Sequence, residues 1–217
     1  MSYSNKQQPF PVCKQPTILY RDDNFLSTAQ VLKYQDLLKN NSWALGFNET
    51  LDELFYVSQS LYRHYAWDGD WQSPRWLDTT SPDWEHLYQD IANYLPAHFV
   101  HWVDVKITGS YQNGTPLHRD KDPWKPGGDI ERFDKSITVL CNLNTAWNAS
   151  WGGGLVLYST DEHHQNTVHQ TVPITPGQLL IIENCVHSIE TITEPSKTRV
   201  SFVLQVLRKR VSIANDA

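Results

Sequence analysis

What this sequence lacks narrows it first. Cysteine is scarce: Cys13, Cys141 and Cys185 are scattered, odd in number and form no CxxC pair. That pattern argues against a disulfide scaffold and fits a reducing compartment. Basic charge is also short, with 18 Lys and Arg against 24 Asp and Glu, a net charge of −6 and a pI near 5.8. A nucleic-acid module that works by phosphate neutralisation needs a basic footprint, so the balance speaks against that class. No apolar run approaches the roughly eighteen residues that span a bilayer. The polar start, residues 1–8, has no signal-peptide apolar core. The expectation is a cytoplasmic protein. Internal repeats, low-complexity tracts and a sharp boundary are missing too, which points to one domain over residues 1–217.

The chain has enough apolar residues for a sizeable core, 40% hydrophobic with 9 Trp, and reads as globular. Residues 1–17 carry Pro9, Pro11 and Pro16 and read as an extended arm. Ser27 with Gln30 three positions on predicts a capped helix over 28–40. Thr50 with Glu53, followed by Leu54, Phe55, Ser58, Leu61 and Tyr62, predicts a second helix from 50 to 65. Ser81-Pro82 predicts a third over 82–95, ended by Pro96. After residue 98 short β-branched and aromatic segments alternate with Gly, Pro and Asn. Strands are expected near 100–111, 114–119, 136–143, 153–158, 167–173, 178–183, 186–193 and 198–208. Helices followed by eight strands imply an all-β sandwich or barrel with a helical buttress on one face. Residues 1–97 then supply arm and buttress, and 98–210 the β core.

Metal-ligand candidates gather in the β half. His118 and Asp120 are two apart, so in an extended chain both side chains point the same way. Alone, His-x-Asp is a chance-level pair. His187 lies 67 positions after Asp120, beyond the turn Pro176-Gly177 and the apolar run Leu179–Ile182. Twelve positions after His187 come Arg199 and Ser201, sharing one face of a strand whose other face carries Val200, Phe202 and Leu204. An inward arginine on an apolar strand is costly unless it meets an anion, and a guanidinium holds a carboxylate bidentately. His163, His164 and His169 lie in a polar stretch and read as solvent-facing. Cys185 reads as a small buried hydrophobe.

The ordered set His118-x-Asp120, His187 and Arg199-x-Ser201 resembles the Fe(II)/2-oxoglutarate-dependent oxygenase superfamily. The segments Ser136–Asn144, Trp151–Leu155 and Pro173–Gly177 resemble its prolyl-hydroxylase-like branch. The likeness runs over roughly residues 100–208. It implies a double-stranded β-helix (a jelly-roll, cupin-like barrel) holding Fe(II) at its mouth. It implies His118, Asp120 and His187 as metal ligands and catalytic centre, with 2-oxoglutarate and O2 as co-substrates. Arg199, assisted by Ser201, then meets the far carboxylate of 2-oxoglutarate, and Tyr111 and Asn142 are candidates to line that pocket. The loop Lys121–Asp129 reads as a lid, with Trp124, Lys125 and Arg132 as substrate contacts. Because Asp120 is retained where related halogenases carry a small residue, hydroxylation or desaturation is expected over halogenation. The expected reaction is hydroxylation of an unactivated C–H bond, with a small molecule or amino acid preferred as substrate. A protein side chain, acted on by a prolyl-type hydroxylase, stays open. So do two other classes: a cupin-like metal-binding protein or zinc hydrolase, and a catalytically silent barrel serving as an interaction domain. No nucleic-acid or membrane partner is expected.

Overall fold

The computed structural model describes residues 13–39, 43–48, 53–58, 82–95, 103–110, 114–119 and 133–209. In chain order the elements are β1 (Ile18–Asp22), α1 (Thr28–Lys39), β2 (Trp43–Asn48), β3 (Glu53–Ser58), α2 (Pro82–Ala92) and β4 (Val103–Ser110). There follow β5 (Thr115–His118), β6 (Phe133–Asn142), β7 (Leu155–Thr160), β8 (Asn166–Val172), β9 (Leu179–Glu183), β10 (Val186–Ile189) and β11 (Arg199–Lys209). A seven-stranded sheet runs β1-β9-β6-β11-β4-β3-β2, and a four-stranded sheet runs β5-β10-β7-β8. Every pairing is antiparallel. From β4 to β11 the chain changes sheet at almost every connection, which makes the pair a double-stranded β-helix. All eight strands expected after residue 98 are present, with shifted ends.

The large sheet has two unlike faces because its side chains alternate. One face carries Ile137, Val139, Cys141, Leu179, Ile181, Phe202 and Leu204, all buried under Val31, Tyr34 and Leu38 of α1 and Leu87, Tyr88 and Ile91 of α2. Each large apolar side chain buried there stabilises the fold by about 1.5–3 kcal/mol. Desolvation by this packing pushes the Tyr34 and Tyr88 hydroxyls up to about 12. The other face carries Leu140, Leu180 and Ile182, which pack on Leu155, Leu157, Val172 and Ile189 of the small sheet. The helical buttress therefore covers one face, as expected, and the second core lies between the sheets.

The expected cap of α1 forms in both directions. The Gln30 Oε1 accepts from the Ser27 backbone N–H at 2.9 Å, and the Ser27 Oγ accepts from the Gln30 N–H at 3.3 Å. Helix α2 begins at Pro82 and ends at Ala92, and a turn then carries the chain to Leu95. Its expected N-cap, Ser81, lies outside the described residues.

The helix expected over 50–65 is wrong where it can be seen. Glu53–Ser58 is strand β3, paired along its whole length with β2, and Phe55–Val57 also pair with β4. The physical reason is that Leu54, Phe55 and Ser58 satisfy a helical period while Glu53 to Ser58 also accept a period of two. Pairing then wins, because it covers the open edge of β4. Residues 59–65 lie outside the described part. Strand β1, which the sequence does not announce, covers the opposite edge by pairing with β9.

Candidate active site

Strand β5 is short and lies at the edge of the small sheet, so its position is set by β10. Gly114 precedes it with φ +67°, and a Cβ there would collide with the backbone carbonyls of Ile189 and Glu190. Glycine thus permits the close approach that starts the β5–β10 pairing. Along that pairing His118 stands opposite His187. Their ring centroids are 4.3 Å apart with 57° between the planes. His187 is buried and His118 half-buried.

The tautomer of His187 is fixed by its neighbour. Its Nδ1 lies 2.9 Å from the Cys185 carbonyl oxygen. A carbonyl only accepts, so Nδ1 carries the hydrogen and Nε2 presents a lone pair, the form in which histidine binds a metal. Cys185 itself is buried in the inter-sheet core, as expected of a small hydrophobe.

His187 pairs with Leu157 of β7, and Leu155, two residues earlier, pairs with Ile189. Paired residues and their i±2 neighbours share a face, so both histidines belong to the face that meets the large sheet. Through Leu155, that face borders a small cavity, which neither histidine lines. Leu140, Leu155, Val172, Ile174 and Leu180 form its apolar walls, and Arg199, Ser201, Asn142 and Gln178 supply its polar groups. Arg199 is 7% exposed and Ser201 0%. Both lie on the inner face of β11, opposite the face of Phe202 and Leu204, as the alternation predicts. The Ser201 Oγ is buried and has no hydrogen-bond partner among the described residues. A buried guanidinium with a hydroxyl two residues along on the same cavity wall matches a carboxylate ligand.

Asn142 lines this cavity, but its amide is largely committed. Its Nδ2 donates to the Thr175 carbonyl at 2.8 Å, and its Oδ1 accepts from the Asn144 N–H at 3.1 Å. Its backbone also exchanges hydrogen bonds with Gly177 and Gln178, so Asn142 staples the turn that floors the cavity. Gln178 is a cavity residue that sequence reasoning missed. Its Nε2 donates to Asp23 Oδ1 at 2.7 Å, and Asp23 is held by Arg21 at 2.8 and 3.0 Å. The Arg21 hydrogen bonds, then the one from Gln178, hold the Asp23 carboxyl below its ordinary value. The only sequence signal for Gln178 is a polar residue directly before an apolar strand.

Among the described residues no three His, Cys, Asp or Glu side chains converge on one point. The expected third ligand, Asp120, lies outside them, two positions beyond His118; so do Tyr111, Trp124, Lys125 and Arg132. His163 and His164 are exposed in a turn closed by Asp161, and His169 is exposed on β8.

Fold and strand order define the class of protein, a double-stranded β-helix with facing histidines at one end and a buried arginine in its cavity. Residues 107–206, just under half of the chain, match the model of the 2OG-Fe(II) oxygenase superfamily. That family uses Fe(II), 2-oxoglutarate and O2, so the match indicates an oxidoreductase. A Pseudomonas putida prolyl-4-hydroxylase is similar at 15% identity and TM-score 0.51, covering 88% of this chain and 92% of that one. A Trichoplax adhaerens prolyl hydroxylase, solved with a hypoxia inducible factor peptide fragment, is similar at 16% identity and TM-score 0.52, over 86% and 82%. The epimerase SnoN from nogalamycin biosynthesis, solved with Fe3+, alpha ketoglutarate and nogalamycin RO, is similar at 13% identity and TM-score 0.54, over 87% and 78%. At these identities the likeness is one of fold. No curated protein matches the sequence. Among the described residues no helix is long and apolar enough to cross a membrane.

Proposed function

We propose that the chain hydroxylates an unactivated C–H bond of a small molecule or amino acid, with His118, Asp120 and His187 holding Fe(II) and Arg199 and Ser201 holding 2-oxoglutarate. The observation that carries the reading is the pairing of His118 with His187 on the face that borders a cavity containing buried Arg199 and the Ser201 hydroxyl, unpartnered among the described residues. When bound, Fe(II) supplies the site at which O2 oxidises 2-oxoglutarate to succinate and carbon dioxide while one oxygen atom enters the substrate C–H bond. This chain's residues do the rest. The Cys185 carbonyl keeps the His187 ring in the ligating tautomer. Arg199 neutralises the far carboxylate of the co-substrate, and Ser201 donates to it. Leu155 and Leu180 keep water from that end of the cavity. The surplus of acidic residues disfavours a polyanionic substrate, and the cytosol suits three free thiols.

The test is to incubate anaerobically purified protein with Fe(II), labelled 2-oxoglutarate and O2, over a panel of small molecules, amino acids and proline-containing peptides. The expected result is labelled succinate together with a small-molecule product heavier by one oxygen. Oxygen gained only by peptides overturns the substrate class. No succinate above background with any substrate overturns the reading itself.

A further inference from the structure

We propose that Arg119 is a positioning residue that ties strand β5 to the β9–β10 turn and so sets His118 against His187; the inference rests on the metal site proposed above. The turn between β9 and β10 consists of two residues, Asn184 and Cys185. The Asn184 carbonyl accepts from Arg119 Nε at 3.2 Å. The Cys185 carbonyl accepts from His187 Nδ1 at 2.9 Å. Successive carbonyls of one tight turn therefore hold the side chain next to His118 and the ring of His187.

The tie matters because the backbone does little to fix this end of β5. Strand β5 has four residues and, among the described residues, β10 as its one neighbour in the sheet, and their register shifts between His187 and Ile189. The pairing ends at His118. Arg119 is the next residue, and its side chain reaches over the turn at the point where the ladder stops. A guanidinium suits this task, since its donors sit on a rigid planar fork, whereas an ammonium is a point charge on a flexible stem.

The amino-terminal segment closes the same end of the barrel. Cys13 exchanges two backbone hydrogen bonds with Thr160 at 2.9 and 2.7 Å, and the Glu183 N–H donates to Thr17 at 3.0 Å. The Cys13 thiol is pushed up chiefly by burial, with Arg119 opposing and Glu183 adding.

Co(II), an oxygen-stable stand-in for Fe(II), serves as the probe. Its affinity and visible absorption band are measured on the full chain for wild type, Arg119→Ala and Arg119→Lys, with the melting temperature of each metal-free form. Arg119→Ala is expected to weaken Co(II) binding about tenfold and to shift the band, as changes behind metal ligands do. Arg119→Lys recovers part of the affinity. Wild-type affinity and spectrum in Arg119→Ala overturn the inference, whether or not the metal-free form melts lower, because a structural role alone leaves the metal readouts unchanged. Should Arg119→Ala not fold, Arg119→Gln carries the same comparison. A wild-type chain that binds no Co(II) overturns the metal-site reading, and with it this inference.

Discussion

His118 and His187 are cross-strand partners on β5 and β10, with ring centroids 4.3 Å apart. Directly opposed residues in an antiparallel pair have Cβ atoms about 4.5–5.5 Å apart, near enough for two imidazoles to share one ion. Replacing either histidine with alanine is expected to weaken divalent-metal binding by more than the roughly 10–100-fold that changes behind the ligands cost. His118→Ala is the cleaner variant. Its side chain is half-buried at a sheet edge, so the metal-free protein should melt close to wild type. Metal titration with a parallel thermal melt checks both, and an undiminished affinity in His118→Ala contradicts the site.

Ser201 gives a prediction with opposite signs in two assays. Its hydroxyl is fully buried and makes no hydrogen bond among the described residues, a state that costs free energy in the absence of a ligand. Ser201→Ala should leave the metal-free, co-substrate-free protein as stable as wild type or slightly more so. The same change removes a donor to a carboxylate. A hydrogen bond to a charged group is worth about 1.5–3 kcal/mol, so 2-oxoglutarate affinity should fall about ten- to hundredfold. Thermal melts and 2-oxoglutarate titrations of the two proteins decide it. A destabilised protein with unchanged affinity means that Ser201 serves only the packing of β11.

The β core is legible in the sequence because Gly, Pro and Asn punctuate it at short intervals and its strands are short runs rich in β-branched and apolar residues. The inward pair Arg199 and Ser201 follows from the alternation along β11 alone. The amino-terminal strands are less legible. In β3, Leu54, Phe55 and Ser58 fit both periods, and β4, one of its two pairing partners, lies beyond α2 in the chain. Gln178 and Arg119 escape for a related reason. The partner of Gln178, Asp23, is 155 positions away, and that of Arg119, Asn184, is 65 positions away. Their roles exist only once the barrel has closed.

The Arg21–Asp23–Gln178 chain ties β1 and the turn after it to the cavity floor, and it carries a pH signature. Asp23 is held below its ordinary value first by the hydrogen bonds from Arg21 and then by the one from Gln178. A carboxyl depressed in the folded state contributes stability above its unfolded value, about 3.9, and loses it as pH falls through the folded value. Asp23→Asn should therefore melt below wild type at pH 7, by a modest margin because the Asp23 side chain is 42% exposed and solvent screens the pair. The gap should shrink as pH falls below about 4 and vanish once wild-type Asp23 is itself protonated. Paired thermal melts of the two proteins from pH 7 down to the acid limit measure it. A gap that stays constant or widens toward acid pH means that the carboxylate charge contributes nothing, and that Gln178 is held by packing alone.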